Sequence, residues 1–403
     1  MRFPENFLWG AATSAHQTEG ENFYSDWWEW ENKGEVGEPS GDAVRHYELF
    51  REDFDLVKSL NHNCHRFSIE WSRIEPRENR FNEQEIFHYK EVLEELKIRN
   101  LEPIVTLHHF TNPLWFIEKG GFLEKKNIGY FLRYLERMVL ELGQDIVYWI
   151  TINEPVVYVY NSYLRGIWPP GKRSFLKAKR VLKNLIKAHI EGYEIIHKVY
   201  EEKSWQRPKV SIAKNFRIFS PCLYENCLLN RFSSRLRDRF FNWLFLEKIR
   251  GYLDFIGVNY YTKESVRFKL PFGDECRNLS HEHIKRRNSL GWQVYPEGLL
   301  EILKFLKKYN LPILITENGT TENCDSDYWY FLKEHLKKIG EAISEGIKVI
   351  GYIYWSLLDN FEWDCGFKAK FGLIEVDRIT YKRKIKDFSL KFSEICKYNT
   401  LDD

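Results

Sequence analysis

The chain has 403 residues, of which 43% are hydrophobic and 29% are charged, and this composition excludes a disordered chain and fits a globular enzyme or binding protein. The 60 Lys and Arg residues nearly balance the 58 Asp and Glu residues, so the net charge of +2 offers no field that would steer the chain to nucleic acid. The length suits either two domains or one large α/β barrel.

The N-terminal segment and the cysteines indicate the cellular compartment. The first residues, MRFPENFLWGAATSA, lack a basic segment followed by an apolar run of signal length, and no apolar span of 18 residues occurs in the chain. We therefore expect a cytoplasmic protein without a membrane partner. The seven cysteines form no CxxC pair, and the closest two, Cys222 and Cys227, lack a nearby set of His or Cys partners. This pattern predicts reduced thiols and no metal site.

Eight short β-rich runs alternate with longer segments of helical period. The runs are residues 6–13, 64–69, 102–109, 147–154, 209–215, 254–261, 312–319 and 349–356. Helical candidates between them, such as residues 86–100 and 329–346, are apolar on one stripe and charged on the other. A strand followed by a helix, repeated eight times, predicts an α/β fold in which residues 1–403 form a single (β/α)8 TIM barrel.

The C-terminal ends of these runs carry mostly polar or aromatic side chains. They finish in Gln17, Arg66, His109, Asn153 with Glu154, Asn215, Asn259 with Tyr261, Glu317 with Asn318, and Trp355. In a parallel barrel all of these ends meet at one mouth, where active sites lie. The alternative, a doubly wound open sheet, would need a glycine-rich phosphate turn after its first strand, and the sequence has none.

Two glutamates at this mouth need an explanation. Glu154 ends the fourth run and Glu317 ends the seventh. Burying an ionised carboxylate costs several kcal/mol unless other groups compensate it. Paired carboxylates suit cleavage of a glycosidic bond, because one protonates the leaving oxygen while the other attacks or stabilises the anomeric carbon. The pattern alone also allows a surface Glu at a strand end, a structural ion pair, a metal site, and an aldolase-type or decarboxylase barrel.

The sequences around both glutamates narrow this choice. TINEP (151–155) and ITENG (315–319) resemble the two active-site signatures of glycoside hydrolase family 1, the β-glucosidase and β-galactosidase family. The resemblance extends over nearly the whole chain, through NFLWGAATSAHQTEG (6–20), HRFSIEWSRI (65–74), VTLHHF (105–110), DFIGVNYYT (254–262), YWSLLDNFEW (354–363) and FGLIEVD (371–377). It implies a retaining, exo-acting β-glycosidase that needs no metal or organic cofactor, with a small-molecule or oligosaccharide β-glycoside as its partner.

The resemblance also implies catalytic roles. Glu154 would be the general acid/base and Glu317 the nucleophile, while Arg66 and Tyr261 would contact the nucleophile and Asn259 would belong to the same catalytic group. A cation beside Glu317 would keep it ionised, and the negative charge of Glu317 in a partly dry pocket should raise the pKa of Glu154. Once Glu317 is glycosylated, the pKa of Glu154 should fall, which would let it deprotonate water.

A second set of residues would bind the sugar. Asn153 would bond the 2-hydroxyl, Gln17 and His109 the outer hydroxyls, Trp355 would stack on the pyranose, and Glu362 with Trp363 would bind its far side. An anionic Glu362 would repel a phosphate, so the sequence predicts unphosphorylated glycosides. Glucose is the expected sugar, with galactose and fucose as further candidates.

The sequence departs from the family pattern in several places. Phe110 stands where the family usually has Trp, and His16 where it commonly has Tyr. The chain is short for the family: the stretch 215–251 is compact and basic, and the connection after Glu317 is short. Loops at these places form the leaving-group side of the pocket in the family, so the site is expected to be unusually open and the leaving-group preference stays undetermined. Three alternatives remain open: a transglycosidase, a 6-phospho-β-glycosidase, and a non-catalytic sugar-binding protein on the same fold.

Overall fold

The computed structural model describes residues 1–222, 228–269, 274–276 and 286–402, and its centre is a closed barrel of eight parallel strands. The barrel strands are β1 (Leu8–Ala12), β2 (Cys64–Ser68), β3 (Glu102–Thr106), β4 (Tyr148–Asn153), β5 (Lys209–Pro221), β6 (Ile256–Arg267), β8 (Ile313–Asn318) and β9 (Val349–Trp355). The short β7 (Asp274–Glu275) pairs antiparallel with β6, and β10 (Ile374–Val376) pairs with β11 (Arg383–Ile385).

The ladder closes on itself. Ala11 of β1 pairs with His65 of β2 on one side and with Tyr354 of β9 on the other. On the opposite side of the barrel, Lys214 of β5 pairs with Val258 of β6. Each of the eight β-rich runs forms one barrel strand, so the predicted (β/α)8 TIM barrel is confirmed.

Helices surround the barrel and connect its strands. They are α1 (Ala15–Thr18), α2 (Asp26–Asn32), α3 (His46–Ser59), α4 (Trp71–Ile74), α5 (Glu83–Ile98), α6 (Leu114–Glu118), α7 (Ile128–Leu142), α8 (Pro155–Val159), α9 (Phe175–Glu202), α10 (Leu228–Asp238), α11 (Leu244–Lys248), α12 (Pro296–Leu306), α13 (Asp325–Ser344) and α14 (Asp387–Tyr398). Shorter turns are the 3-10 helices Gly121–Leu123, Lys125–Asn127, Gly143–Asp145, Lys307–Tyr309 and Trp363–Cys365, and the π-helical turns Tyr160–Arg165 and Arg239–Trp243.

Helix α5 illustrates how the sequence specifies this outer layer. Its apolar stripe, which includes Ile86, Val92 and Leu96, is buried against the barrel, while the charged residues between them face outward. The helix begins three residues earlier than the apolar period indicates, because the side chain of Asn82 accepts a hydrogen bond from the backbone N–H of Gln84. This cap satisfies one of the free N–H groups of the first turn.

Strands β5 and β6 are longer than the sequence predicts. Both continue past the barrel mouth, where Ile218 pairs with Lys263 and Pro221 with Val266. The predicted ends, Asn215 and Tyr261, are instead positions inside these strands. The extension forms a two-stranded ribbon that rises above the mouth on one side of the cavity.

One cysteine at the end of this ribbon is oxidised, contrary to the prediction from sequence. Cys222 and Cys276 form a disulfide with a Cα–Cα distance of 6.3 Å, so the prediction of a reduced thiol at Cys222 is wrong. The backbone N–H of Cys222 donates to Val266 O at 2.9 Å, and that of Cys276 donates to Ser265 O at 2.9 Å, which places both cysteines beside the end of β6. Cys227 lies outside the described residues. Cys64, Cys324, Cys365 and Cys396 are free thiols.

Two further searches cover the described part of the chain. None of its helices is long and apolar enough to cross a membrane. Within the same residues, no group of three or more His, Cys, Asp or Glu side chains is placed to hold a metal ion.

Candidate active site

A cavity of about 380 Å³ opens at the C-terminal mouth of the barrel. It brings together most of the side chains that the sequence singles out, namely Gln17, His109, Asn153, Glu154, Tyr261, Glu317, Trp355, Glu362 and Trp363. Arg66 and Asn259 are fully buried and lie behind this lining, where they contact the two glutamates. A volume of this size is typical of a small-molecule site.

A left-handed backbone turn places Glu154 at the mouth. Its φ is 43°, its N–H donates to Ala213 O at 2.7 Å, and Pro155 begins α8 directly after it. A positive φ is uncommon for residues other than glycine, and such residues are often found at functional sites. The Oε1 atom of Glu154 accepts hydrogen bonds from Asn259 Nδ2 at 2.8 Å and from Asn215 Nδ2 at 2.9 Å.

The environment of Glu154 raises its pKa to about 7. Burial is the largest cause, and the negative charge of Glu317 is the second, while the amides of Asn259 and Asn215 and the charge of Arg217 lower the pKa. Near neutral pH this carboxyl group therefore exists in both forms. The direction agrees with the expectation from sequence.

Glu317 lies in a different environment from Glu154, because each of its two oxygens accepts a hydrogen bond. Oε1 accepts from Arg66 Nη1 at 2.5 Å, and Oε2 accepts from the Tyr261 hydroxyl at 2.6 Å. Arg66 is held by further bonds to Thr316 O at 3.0 Å and to Asn153 Oδ1 at 2.8 Å. A charge-assisted bond from a fixed guanidinium thus holds the side chain of Glu317, which is only 4% exposed.

Amide side chains connect the two glutamates. Asn259 Nδ2, which donates to Glu154, also lies 3.3 Å from Asn153 Oδ1, and Asn153 Oδ1 accepts from Arg66. Thr316 Oγ1 donates to Asn259 Oδ1 at 2.6 Å and thereby fixes the orientation of that amide. The two carboxyl groups thus share one buried hydrogen-bonded scaffold, although 163 positions separate them along the chain.

The polar side chains opposite this scaffold are partly satisfied. Gln17 Nε2 donates to Phe361 O at 2.8 Å and to Glu362 Oε2 at 3.1 Å. His109 Nε2 lies 3.2 Å from Asn153 Nδ2, and burial holds the pKa of His109 well below its usual range. A neutral ring that accepts at Nε2 carries its hydrogen on Nδ1, and Nδ1 is buried without a partner among the described residues.

Aromatic rings close the same end of the cavity. The His109 ring is stacked with those of Trp355 at 5.8 Å and Trp363 at 6.2 Å. His16 stacks on Trp363 with an interplanar angle of 9°, and its Nε2 atom lies 2.7 Å from Glu31 Oε1. His16 therefore supports Trp363 through a buried polar pair. Phe110 lines the cavity and packs edge-on against Trp363 at 5.2 Å.

The surroundings of Glu362 disfavour its ionised form. Burial and, next, the charge of Glu317 raise its pKa to about 8, in spite of hydrogen bonds from Trp355 and Gln17. The raised pKa favours the protonated form of Glu362, and the anionic Glu362 expected from sequence stays a prediction. The sequence could not reveal the raised pKa, because the shift depends on burial and on the position of Glu317.

Two residues of β5 contribute to the site although the sequence analysis gave them no role. Asn215 bonds Glu154, and Arg217, two positions further, lines the cavity. Asn215 carried the same signal as its neighbours, a polar residue at the end of a β-rich run. Arg217 carried none, because the run was expected to end before it. Arg165 and Trp168, in the segment after α8, also line the cavity without a distinguishing sequence signal.

The chain resembles known proteins over its full length. The model of the family described as "Glycosyl hydrolase family 1" matches residues 1–227 and 224–401. A "Beta-glucosidase A" of Thermotoga maritima is 31% identical and the match covers 100% of this chain and 99% of that protein. A "Beta-galactosidase" of Pyrococcus woesei is 29% identical, with 98% and 97% covered.

Solved structures give the same result. The beta-glycosidase from Pyrococcus horikoshii superposes with a TM-score of 0.93 and 40% sequence identity, over 100% of this chain and 96% of that one. The beta-glucosidase from Thermotoga maritima in complex with deoxynojirimycin gives a TM-score of 0.90 and 30% identity, over 100% of both chains. The fold, the motifs at the strand ends and the full-length matches agree, and the chain belongs to glycosyl hydrolase family 1.

Proposed function

We propose that the protein is a retaining, exo-acting β-glycosidase that hydrolyses β-D-glucosides, with β-D-galactosides and β-D-fucosides as further substrates. One observation carries the proposal: a carboxyl group with a pKa of about 7, Glu154, faces the same cavity as Glu317, whose oxygens both accept hydrogen bonds. Two carboxyl groups with such different environments divide the roles of acid and nucleophile. The relatives named β-glucosidase and β-galactosidase support the choice of sugars.

In the first step Glu317 attacks the anomeric carbon and the bond from that carbon to the glycosidic oxygen breaks. Glu154 gives its proton to the departing oxygen, so the leaving group departs as an alcohol and the sugar is held as an ester of Glu317. Arg66 and Tyr261 hold the attacking carboxylate in one orientation. Asn153, fixed by Arg66, presents its amide to the 2-hydroxyl of the sugar, a contact that strengthens as positive charge develops on the ring.

The second step uses the coupling between the two glutamates. Formation of the ester removes the charge of Glu317, which is one of the causes that raise the pKa of Glu154. The pKa of Glu154 then falls, and its carboxylate takes a proton from a water molecule that attacks the anomeric carbon. The sugar is released with its original configuration, and both glutamates return to their starting forms. A retaining mechanism predicts a separation of about 5 to 5.5 Å between the two carboxyl groups.

The preference for unphosphorylated sugars has a second support besides the one expected from sequence. The raised pKa of Glu362 weakens the repulsion of a phosphate by its charge, so the cations of the cavity also matter. The lysines and arginines among the described lining residues are Arg165 and Arg217, and no ion pair joins either of them to Glu362 in the described part of the chain. A 6-phosphate beside Glu362 would therefore find no cation paired with that carboxyl group within the described residues.

The covalent intermediate provides the decisive test of the proposal. Incubation with 2,4-dinitrophenyl 2-deoxy-2-fluoro-β-D-glucoside should inactivate the enzyme, because the fluorine slows both steps while the good leaving group still permits the first. Peptide mass spectrometry should find the 2-fluoroglucosyl group on Glu317. The matched Glu317→Gln variant should carry no label. Labelling of Glu362, or no labelling at all with wild-type protein, would contradict the assignment.

A change at Asn215 should move the pH profile. The Asn215 amide lowers the pKa of Glu154 by stabilising the carboxylate, so Asn215→Ala should raise that pKa. The protonated acid then persists to higher pH, and the alkaline limb of kcat/KM should shift upward by a measurable fraction of a unit. Asn184→Ala serves as the control, because Asn184 is a buried amide outside the cavity that donates to Phe122 O. A downward shift for Asn215→Ala would be inconsistent with this role.

A further inference from the structure

Two arginines that line the cavity lie on segments connected to the acid/base region, Arg217 and Arg165. Arg217 follows Asn215 by two positions in β5, and Asn215 is one of the residues that bond Glu154. Arg165 ends the π-helical turn that follows α8, the helix that begins directly after Glu154. Both therefore belong to segments that leave the barrel at the acid/base, and both line the cavity.

The positive charge of this pair is incompletely neutralised by the protein. Arg217 Nη1 is 3.4 Å from Glu264 Oε2, and Arg237 forms a closer ion pair with the other oxygen of Glu264, so two guanidinium groups share one carboxylate. Arg165 is exposed and forms no ion pair within 4.0 Å among the described residues. From the basic stretch 215–251, which the proposed hydrolysis does not explain, Arg217 thus brings an incompletely paired positive charge to the cavity.

Arg217 lies close to the position of the reaction. Its charge is one of the causes that lower the pKa of Glu154. Its guanidinium also lies over the ring of Phe241, at 5.0 Å from the centroid, and Phe241 itself lines the cavity. Because Glu154 delivers its proton to the glycosidic oxygen, the first atoms of the leaving group must lie beside this aromatic and cationic surface.

The remaining charges of the cavity limit the kind of anion that could bind there. Glu154, Glu317, Glu362 and Asp364 also line the cavity, and Asp364 accepts a hydrogen bond from Trp168 Nε1 at 2.8 Å. A doubly charged phosphate would be repelled by the negative charge of Glu317 more strongly than a singly charged carboxylate. A carboxylate also matches the fork geometry of a guanidinium.

We propose that the leaving-group side of this cavity selects β-glycosides whose leaving group carries a carboxylate, which Arg217 and Arg165 bind while the ring of Phe241 packs against the leaving group. The inference deepens the proposed hydrolysis and rests on it, because it takes Glu154 as the acid that faces the leaving group. Arg217 and Arg165 are then determinants of leaving-group specificity.

The test compares two substrates of nearly equal size, 4-carboxyphenyl and 4-carbamoylphenyl β-D-glucoside. The wild-type enzyme should favour the carboxylate in kcat/KM by about tenfold at low ionic strength, the gain expected of a close, partly buried charge pair. The preference should decrease as salt is added. It should fall in Arg217→Gln and in Arg165→Gln, and it should be lost in the double variant. The ratio is insensitive to a changed pKa of Glu154, because both substrates meet the same free enzyme.

Arg235→Gln is the matched control. Arg235 lies in the same basic stretch but is exposed and outside the cavity lining, so its loss should leave the substrate ratio unchanged. An equal fall in this control would mean that a diffuse field acts instead of a binding site, and it would overturn the proposal. A wild-type ratio of one or less, or a ratio unaffected by both cavity variants, would also overturn it.

Failure of the inference and failure of the proposed hydrolysis give different results. If 4-nitrophenyl β-D-glucoside is cleaved but the carboxylate is not preferred, only the inference is wrong. If the wild-type enzyme cleaves no β-glycoside, the hydrolysis is wrong and the inference with it. Should Arg217→Gln not fold, Arg165→Gln decides the result alone, since Arg165 is exposed and its replacement does not disturb the core.

Discussion

Glu317→Gln should lower kcat/KM for 4-nitrophenyl β-D-glucoside by about 10⁴- to 10⁶-fold, the loss typical for removal of a catalytic nucleophile. The amide nearly matches the carboxylate in shape but cannot form the glycosyl ester. Arg66 keeps its bonds to Thr316 O and Asn153 Oδ1 in the variant, so the scaffold beneath the site should remain assembled. Circular dichroism and the melting temperature would establish that the loss is chemical.

The control for this variant is Glu102→Gln, which makes the same change on the first residue of β3, at the end of the barrel opposite the mouth. It should retain nearly full activity. A more specific test uses Glu317→Gly with sodium azide. Azide should enter from the face that the carboxylate vacates, displace the leaving group with inversion and give α-glucosyl azide. A Glu317→Gln variant with wild-type kcat/KM, or a β-configured azide product, would show that Glu317 is not the nucleophile.

The barrel and its mouth were predictable because parallel strands that are covered by helices must be apolar on both faces. Such strands appear in the sequence as short continuous apolar runs, as in β4, where all residues are buried. A polar residue at the end of such a run therefore stands out. Glu154, Glu317 and Asn153 were found from this signal and from the motifs around them.

The parts that escaped prediction depend on contacts between distant segments. The β5–β6 ribbon forms because each strand pairs with the other above the mouth, and neither sequence alone indicates where pairing ends. The disulfide between Cys222 and Cys276 depends on that ribbon, and their separation of 54 positions gave no hint of it. The raised pKa of Glu362 likewise depends on burial and on the charge of Glu317. Local sequence patterns contain none of these quantities.

The second large effect is expected at Glu154, and it should depend on the leaving group. Glu154→Gln removes the proton donor but leaves the nucleophile intact. Hydrolysis of methyl β-D-glucoside, whose alcohol departs poorly without a proton, should fall by about 10³- to 10⁴-fold, which lies within the range for loss of general acid–base catalysis. The first step with a 2,4-dinitrophenyl glucoside should change little. Added azide should give β-glucosyl azide, because it attacks the ester of Glu317 from the face that water normally uses.

The pH profile should change in the same variant. The wild-type kcat/KM should decline as pH rises through about 7, where Glu154 loses its proton, and Glu154→Gln should lack this limb. If the limb persists in Glu154→Gln, another group titrates there. A profile for the 2,4-dinitrophenyl substrate that matches the methyl glucoside profile would also contradict an acid role.

The Glu154→Gln variant should lose activity but gain stability. Because the folded protein raises the pKa of Glu154 from 4.5 to about 7, the native state binds the proton more tightly than the unfolded chain does. The free energy of unfolding should therefore fall as pH rises from 4.5 to 7, by at most about 3 kcal/mol from this group. Glu154→Gln carries no charge to bury, so it should gain stability relative to wild type between pH 4.5 and pH 8. Urea unfolding of both proteins at pH 4.5 and at pH 8 measures this difference. If Glu154→Gln changes the free energy of unfolding by the same amount at the two pH values, burial does not destabilise the ionised form of Glu154. A larger gain at the higher pH would show that the same carboxyl group that the chemistry needs in its protonated form lowers the stability of the native state when it is ionised.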